Sequence, residues 1–217
     1  QTSSLGTDRT AVAITAGKFH TCAILDDGSV SCWGYNGYGQ LGDGTTTNRN
    51  TPTQTSTLGT DRTAVAITAA TRHTCAILDD GSVSCWGYNS KGQLGDGTST
   101  DRDTPTQTSS LGEGRTAVAI TGGDYHTCAI LDDGSVSCWG YNGNGQLGDG
   151  TTTDRNTPTQ TSSLGTGRTA VAISAGEEHT CAILNDGTVS CWGNNGDGQL
   201  GDGTDTFRLT PTAIEIE

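Results

Sequence analysis

At 217 residues the chain has room for one or two domains, but a hydrophobic share of 31% and the lack of Met deny it one large core. A net charge of −13, from 24 acidic against 11 basic side chains, opposes a phosphate backbone, so nucleic acid is set aside as a partner. No stretch approaches the roughly 20 apolar residues that span a bilayer.

The chain opens at Gln1-Thr2-Ser3-Ser4-Leu5-Gly6 without an initiating Met, as a processed secreted protein or a piece of a longer chain does. Ala11-Val12-Ala13-Ile14 alternates small and β-branched residues and predicts a first strand. A turn at Gly17-Lys18-Phe19 leads into a second strand, His20 to Leu25. Asp26-Asp27-Gly28 reads as a hairpin loop, with Gly28 able to take the left-handed conformation. Val30 to Trp33 is the third strand. A Gly-rich loop from Gly34 to Gly44 precedes a short fourth strand at Pro52 to Thr55, where Pro is tolerated at a sheet edge. Gly and β-branched residues recur too often for a helix.

The whole set returns every 53 residues: His20, His73, His126 and His179, or Trp33, Trp86, Trp139 and Trp192. One array over 1–217 is expected, with units at about 1–53, 54–106, 107–159 and 160–217, and no room for a separate catalytic domain. Four short strands per unit predict an all-β fold, a β-propeller of four blades whose thin cores are each sealed by the neighbouring blade. A parallel β-helix normally has shorter coils. The closing segment Pro211-Thr212-Ala213-Ile214-Glu215-Ile216-Glu217 alternates like a strand and is a candidate to complete a sheet begun by the N-terminus.

Hairpin register bears on the cysteines. With a three-residue loop, Ile24 faces Val30, Ala23 faces Ser31 and Cys22 faces Cys32, on a closely spaced non-hydrogen-bonded pair within disulfide reach. The same spacing joins Cys75 to Cys85, Cys128 to Cys138 and Cys181 to Cys191. Zinc sites favour closer pairs, and free thiols belong to a reducing cytosol, so four cross-strand disulfides and an oxidising compartment are expected.

Gly17-x-x-His20-Thr21-Cys22-Ala23-Ile24-Leu25, then Asp27-Gly28, then Trp33-Gly34-x-Asn36-x-x-Gly39-Gln40-Leu41-Gly42, resembles the repeat of the regulator of chromosome condensation, in all four units. The resemblance implies a propeller, usually of seven blades. It also implies functions as different as nucleotide exchange on a small GTPase with nucleosome binding, and inhibition of β-lactamases by secreted bacterial relatives. Paired cysteines, acidic charge and four units depart from the nuclear pattern; a compact four-bladed ring, a jointly closed dimer and a piece of a longer array all remain open.

The histidines read as hydrogen-bonded packing residues rather than a metal ring, and Asp43, Asp96, Asp149 and Asp202 as capped turns rather than calcium ligands. The tryptophans read as packing between blades. No activated nucleophile is apparent, so neither catalysis nor a cofactor or metal is expected. The copies differ at Lys18-Phe19, Thr71-Arg72, Asp124-Tyr125 and Glu177-Glu178, in the loop after Trp (Tyr38, Lys91, Asn144, Asp197), and at Asn48, Asp101, Asp154 and Phe207. The first set together with Tyr38 and Lys91 is the expected contact surface, and Phe19, Tyr38, Arg72 and Tyr125 are its anchors. The expected function is a secreted or cell-surface, non-enzymatic scaffold that binds or inhibits a protein. The alternatives are a self-associating subunit of a surface layer or filament, as homo-oligomer or polymer, and an exchange-factor-like regulator.

Overall fold

Alternation, hairpin loops and Gly-rich turns deliver strands only. Sixteen strands form among the described residues, which are 5, 6 and 8–214 of a computed structural model. The first sheet holds β1 (Ala11–Ala16), β2 (His20–Leu25), β3 (Val30–Gly34) and β4 (Arg49–Gln54), antiparallel and in chain order. The second holds β5 (Ala64–Ala69), β6 (His73–Leu78), β7 (Val83–Gly87) and β8 (Arg102–Gln107). The third is built from β9 (Ala117–Gly122), β10 (His126–Leu131), β11 (Val136–Gly140) and β12 (Arg155–Gln160). The fourth comprises β13 (Ala170–Ala175), β14 (His179–Leu184), β15 (Val189–Gly193) and β16 (Arg208–Ile214). These are four propeller blades.

The expected hairpin register is the observed one: Ile24 faces Val30, Ala23 faces Ser31, and Cys22 faces Cys32. Cys22–Cys32, Cys75–Cys85, Cys128–Cys138 and Cys181–Cys191 are disulfide-bonded, each with Cα atoms 4.1 Å apart, the close spacing of a non-hydrogen-bonded pair. Gly28 takes the left-handed conformation at φ 76°. The fourth strand starts three residues earlier than its Pro52 signal, because Arg49 pairs with Gly34 across a bulge. Pro52 lies within the outermost strand, where its missing N–H breaks no ladder. Gln1 to Ser4 and Glu215 to Glu217 lie outside the described residues. Within them, Ala213 and Ile214 extend β16 against Ser190 and Val189 of its own sheet, so the C-terminal segment stays in the fourth blade as far as it is described.

Each core lies between two blades. Strand alternation puts Cys22, Ile24, Val30 and Cys32 on one face of the first sheet, and they pack against Ala64, Ala76, Leu78 and Trp86 of the second. The same cluster recurs around Trp139 and around Trp192. Ile24, Ile77 and Ile130 are each 2% exposed, which stabilises by about 2–3 kcal/mol per side chain. The innermost strands β1, β5, β9 and β13 pack in series, and no packing of that extent returns β13 to β1 among the described residues. The array is therefore an open arc, not a compact four-bladed ring. Its ends show it: Ile183 is 46% exposed where its three equivalents are 2%, and Trp33 is half-buried where Trp86, Trp139 and Trp192 are fully buried.

Candidate functional site

The Gly-rich loop after each Trp is rigid because one buried Asn organises it. The Asn36 side-chain amide donates to Asp43 and to the carbonyls of Thr45 and Thr47, and its oxygen accepts from Leu41 N–H. Asp43 accepts from both the hydroxyl and the N–H of Thr45, and from Arg49 Nε at 2.7 Å. Burial pushes the Asp43 carboxyl up, but the Thr45 and Arg49 hydrogen bonds outweigh it and hold it below its usual range. Asp43, Asp96 and Asp149 are braced turns of this kind. Asp202 keeps the same partners at the fourth blade, Thr204 foremost, and its carboxyl is lowered to about 2. Asn48, Asp101 and Asp154 belong to the same brace, accepting from Asn36, Asn89 and Asn142 N–H, whereas Phe207 stands exposed.

Gln40 links this loop to the next blade. Its side-chain oxygen accepts from Tyr38 N–H, and its main-chain carbonyl accepts from the Thr74 hydroxyl at 2.8 Å. With its proton committed there, Thr74 Oγ1 accepts from His20 Nε2–H, also at 2.8 Å. His73 and His126 reach Thr127 and Thr180 in the same way. Each of these three histidines thus sits in a blade junction, with its Nδ1 unpartnered among the described residues. Burial pushes His20 down to about 4 and His73 and His126 down to about 3, with neighbouring histidines adding to the effect at the latter two.

Rigid loops and repeated junctions align the variable positions on one face. Lys18, Thr71, Asp124 and Glu177 line one recess at the inner ends of the blades, with Ala16, Ala69 and Ala175 in its wall. There the Thr71 hydroxyl donates to the Asp124 carboxylate, and Asp124 N–H donates to the Glu177 carbonyl at 3.0 Å. Phe19, Arg72, Tyr125 and Glu178 are the next residues along the chain in the four blades. Phe19 meets Tyr35 edge-on at 6.1 Å, Tyr35 meets Tyr38 at 6.1 Å, Tyr38 meets Tyr88 at 4.8 Å, and Tyr88 meets Tyr125 at 6.0 Å. This unbroken band crosses three blades. The Arg72 guanidinium lies over Tyr38 and Tyr88, 5.4 and 5.9 Å from the ring centres, and reaches the Tyr125 hydroxyl.

Two of the expected residues stand apart from the band. Lys91 lies over Tyr141 and pairs with Asp154 at 3.4 Å. Glu178 accepts from Asn144 and Asn194, both at 2.9 Å. The sequence reading missed Tyr35 and Tyr88, which looked like scaffold because Tyr141 repeats them. The available signal was the fourth copy, where Asn194 takes that place.

Charge sharpens the picture. Among the described residues, Lys18 and Arg72 are the two bases without a carboxylate partner; the other nine are paired with aspartates. Both lie over aromatic rings on this face, Lys18 at 5.7 Å from the Phe19 ring centre. A half-enclosed hollow between Phe19, Tyr35, Tyr38 and Arg72 combines apolar walls with one cation.

The regulator of chromosome condensation repeat model matches residues 27–77, 80–130, 133–183 and 186–217. The ultraviolet-B receptor UVR8 of Arabidopsis thaliana is 38% identical over 207 residues, covering 95% of this chain and 46% of the receptor. The probable E3 ubiquitin-protein ligase HERC4 of Homo sapiens is 34% identical over 207 residues, covering 94% of this chain and 19% of the ligase. Human WBSCR16 superposes with a TM-score of 0.85 at 23% identity, over 97% of this chain and 54% of its own. Prp20p of Saccharomyces cerevisiae, described with its binding properties to Gsp1p and histones, superposes at 0.80 with 24% identity, over 95% of this chain and 50% of its own. The chain therefore spans about half or less of the length of these relatives.

Proposed function

Because the chain belongs to the regulator of chromosome condensation repeat family, we propose that it is an extracellular, non-enzymatic scaffold that binds or inhibits a protein through the Phe19–Tyr125 face. The observation that carries this reading is the aromatic band from Phe19 through Tyr35, Tyr38 and Tyr88 to Tyr125, with Arg72 laid across it. Rigid aromatics and Arg supply most of the energy of protein interfaces, and here they are preorganised by ring contacts. Arg72 has no carboxylate partner among the described residues, so the fitting partner is an apolar segment carrying an acidic side chain. Four disulfides support an oxidising compartment and weigh against an exchange-factor role in a reducing cytosol.

The test replaces Phe19 and Tyr125 together with Ala and compares capture of proteins from an extracellular fraction with that of the unaltered chain. Binding falls about tenfold or more while the unfolding midpoint holds, as expected for contact residues. Undiminished capture removes this face from consideration.

A further inference from the structure

A cavity recurs at the hairpin end of the blades. In the third blade it opens between the loop leading into β9 and the end of the sheet near Asp133, with a volume of about 400 Å³. The first blade holds the same cavity at the equivalent positions, at about 330 Å³. The third blade packs against a blade on either side, so the cavity belongs to the interior of the array and not to an uncovered end. Tyr125 precedes β10 and Leu131 ends it, which sets the cavity at the opposite end of the strands from the aromatic band.

Alternation and register build its walls. Val136 and Cys138 face the core shared with the fourth blade, so Ser137 between them faces the other way. Ser137 of β11 pairs with Gln160 of β12, which sets the two side chains next to each other on that face. Both line the cavity, with Leu111, Leu131 and Pro158 as its apolar surface. On its edge Asp133 accepts from the Ser135 hydroxyl at 2.6 Å and pairs with Arg115 at 2.6 Å.

Ser137 is 3% exposed, yet its hydroxyl has no hydrogen-bond partner among the described residues. Ser31, in the first cavity, is 3% exposed and equally unpaired. A buried hydroxyl left unpaired destabilises the fold, and a ligand that pairs it recovers the loss. The Gln160 side-chain amide beside Ser137 also has no partner among the described residues. The fourth blade shows that the sheet does not need this Gln: Ala213 stands there, still paired with Ser190.

A hydroxyl and a primary amide each donate and accept, as the hydroxyls of a sugar do. Arg115 and Asp133 cancel as an ion pair, and Glu113 adds a charge only in the third blade, since the other repeats have Thr. The cavities thus share no uncompensated charge for an ionic ligand, while Leu and Pro offer a surface for the C–H face of a ring. Ligand sites usually run from about 300 to 1,000 Å³, so these have room for a sugar ring rather than a folded segment.

We propose that the cavities are saccharide subsites, which take neutral hexose units of a glycan through Ser137 and Gln160 and through Ser31 and Gln54. The second blade carries the same pair as Ser84 and Gln107. Sites fixed at intervals on one rigid array engage neighbouring units of one glycan surface and gain avidity. This binding is separate from the Phe19–Tyr125 face and does not rest on it.

The test applies the disulfide-bonded chain to immobilised neutral oligosaccharides of hexose and N-acetylhexosamine, with uronic-acid oligosaccharides and peptides alongside. Retention by neutral members and release by free sugar are expected. Gln54→Ala, Gln107→Ala and Gln160→Ala together bring three blades to the state of the fourth; retention falls about tenfold or more, because linked sites are lost together, while the unfolding midpoint holds. Ser137→Ala is expected to lower retention without lowering stability, whereas a hydroxyl that served the fold would lower stability. Replacing Phe19 and Tyr125 with Ala leaves sugar retention as it was, so the two sites are read separately. No retention by any neutral member, retention only by acidic oligosaccharides or peptides, retention indifferent to the triple variant, or a destabilised Ser137→Ala chain each overturns the proposal.

Discussion

The Thr127 hydroxyl donates to the main-chain carbonyl of Gln93 at 2.9 Å, across the junction between the second and third blades. It also accepts from His73, so one buried oxygen ties a loop, a strand and a neighbouring blade together.

Thr127→Val keeps the shape and removes both hydrogen bonds. It strands the His73 Nε2–H and weakens the satisfaction of Gln93, for an expected loss of about 1–3 kcal/mol in denaturant unfolding. Thr21→Val makes the same chemical change at the uncovered end. Thr21 is half-buried and bridges no two blades among the described residues, so there the change is expected to shift stability by no more than about 0.5 kcal/mol. Equal losses at the two sites would show that the junction bond is not what stabilises.

The four disulfides differ in shelter. Cys22, Cys32, Cys75, Cys85, Cys128 and Cys138 are fully buried, while Cys181 is half-buried and Cys191 is 4% exposed. Under mild reduction, alkylation mapped by mass spectrometry is expected at Cys181 and Cys191 before the other six. Loss of each short cross-link destabilises by about 2–3 kcal/mol in the chain-entropy model.

Acid is expected to loosen the array in two stages. The folded pKa values of His73 and His126, about 3, and of His20, about 4, lie below the ordinary 6.5. The unfolded chain therefore binds protons first as pH falls. Stability is full above about 6.5 and declines from there toward 3, by at most about 1.4 kcal/mol per pH unit for each histidine. Asp43, Asp96 and Asp149, also lowered, add a second decline below the usual carboxylate range. Melting temperatures from pH 8 to pH 4 check the first stage; a flat profile between 6.5 and 4 would contradict the burial of these rings.

Much of this fold is legible in one repeat. Alternation locates the strands, and the count from Asp26-Asp27-Gly28 places Cys22 opposite Cys32, because both are local relations along a hairpin. What joins the repeats is not local. Nothing near Thr74 in the sequence says that its hydroxyl serves Gln40, 34 residues back. The aromatic band was half legible. Variation marks Phe19, Arg72 and Tyr125, but Tyr35 and Tyr88 are repeated, and repetition looks like scaffold. Their role arises only when the loop of one blade leans on the next, bringing Tyr38 within 4.8 Å of Tyr88. Arg49 lies six residues beyond Asp43, so the brace that holds this carboxylate was not visible in the Gly-Asp-Gly-Thr motif itself.

The three junctions are chemically interchangeable: the same Cys, Ile, Ala, Leu and Trp recur in each. Nothing in them records which blade comes first, so order along the chain is carried by connectivity alone. Removal or duplication of one 53-residue period would leave every surviving seam as it was. Length in such a chain is quantised, and its blade number is free to drift by recombination between copies while the loops that face outward change one at a time.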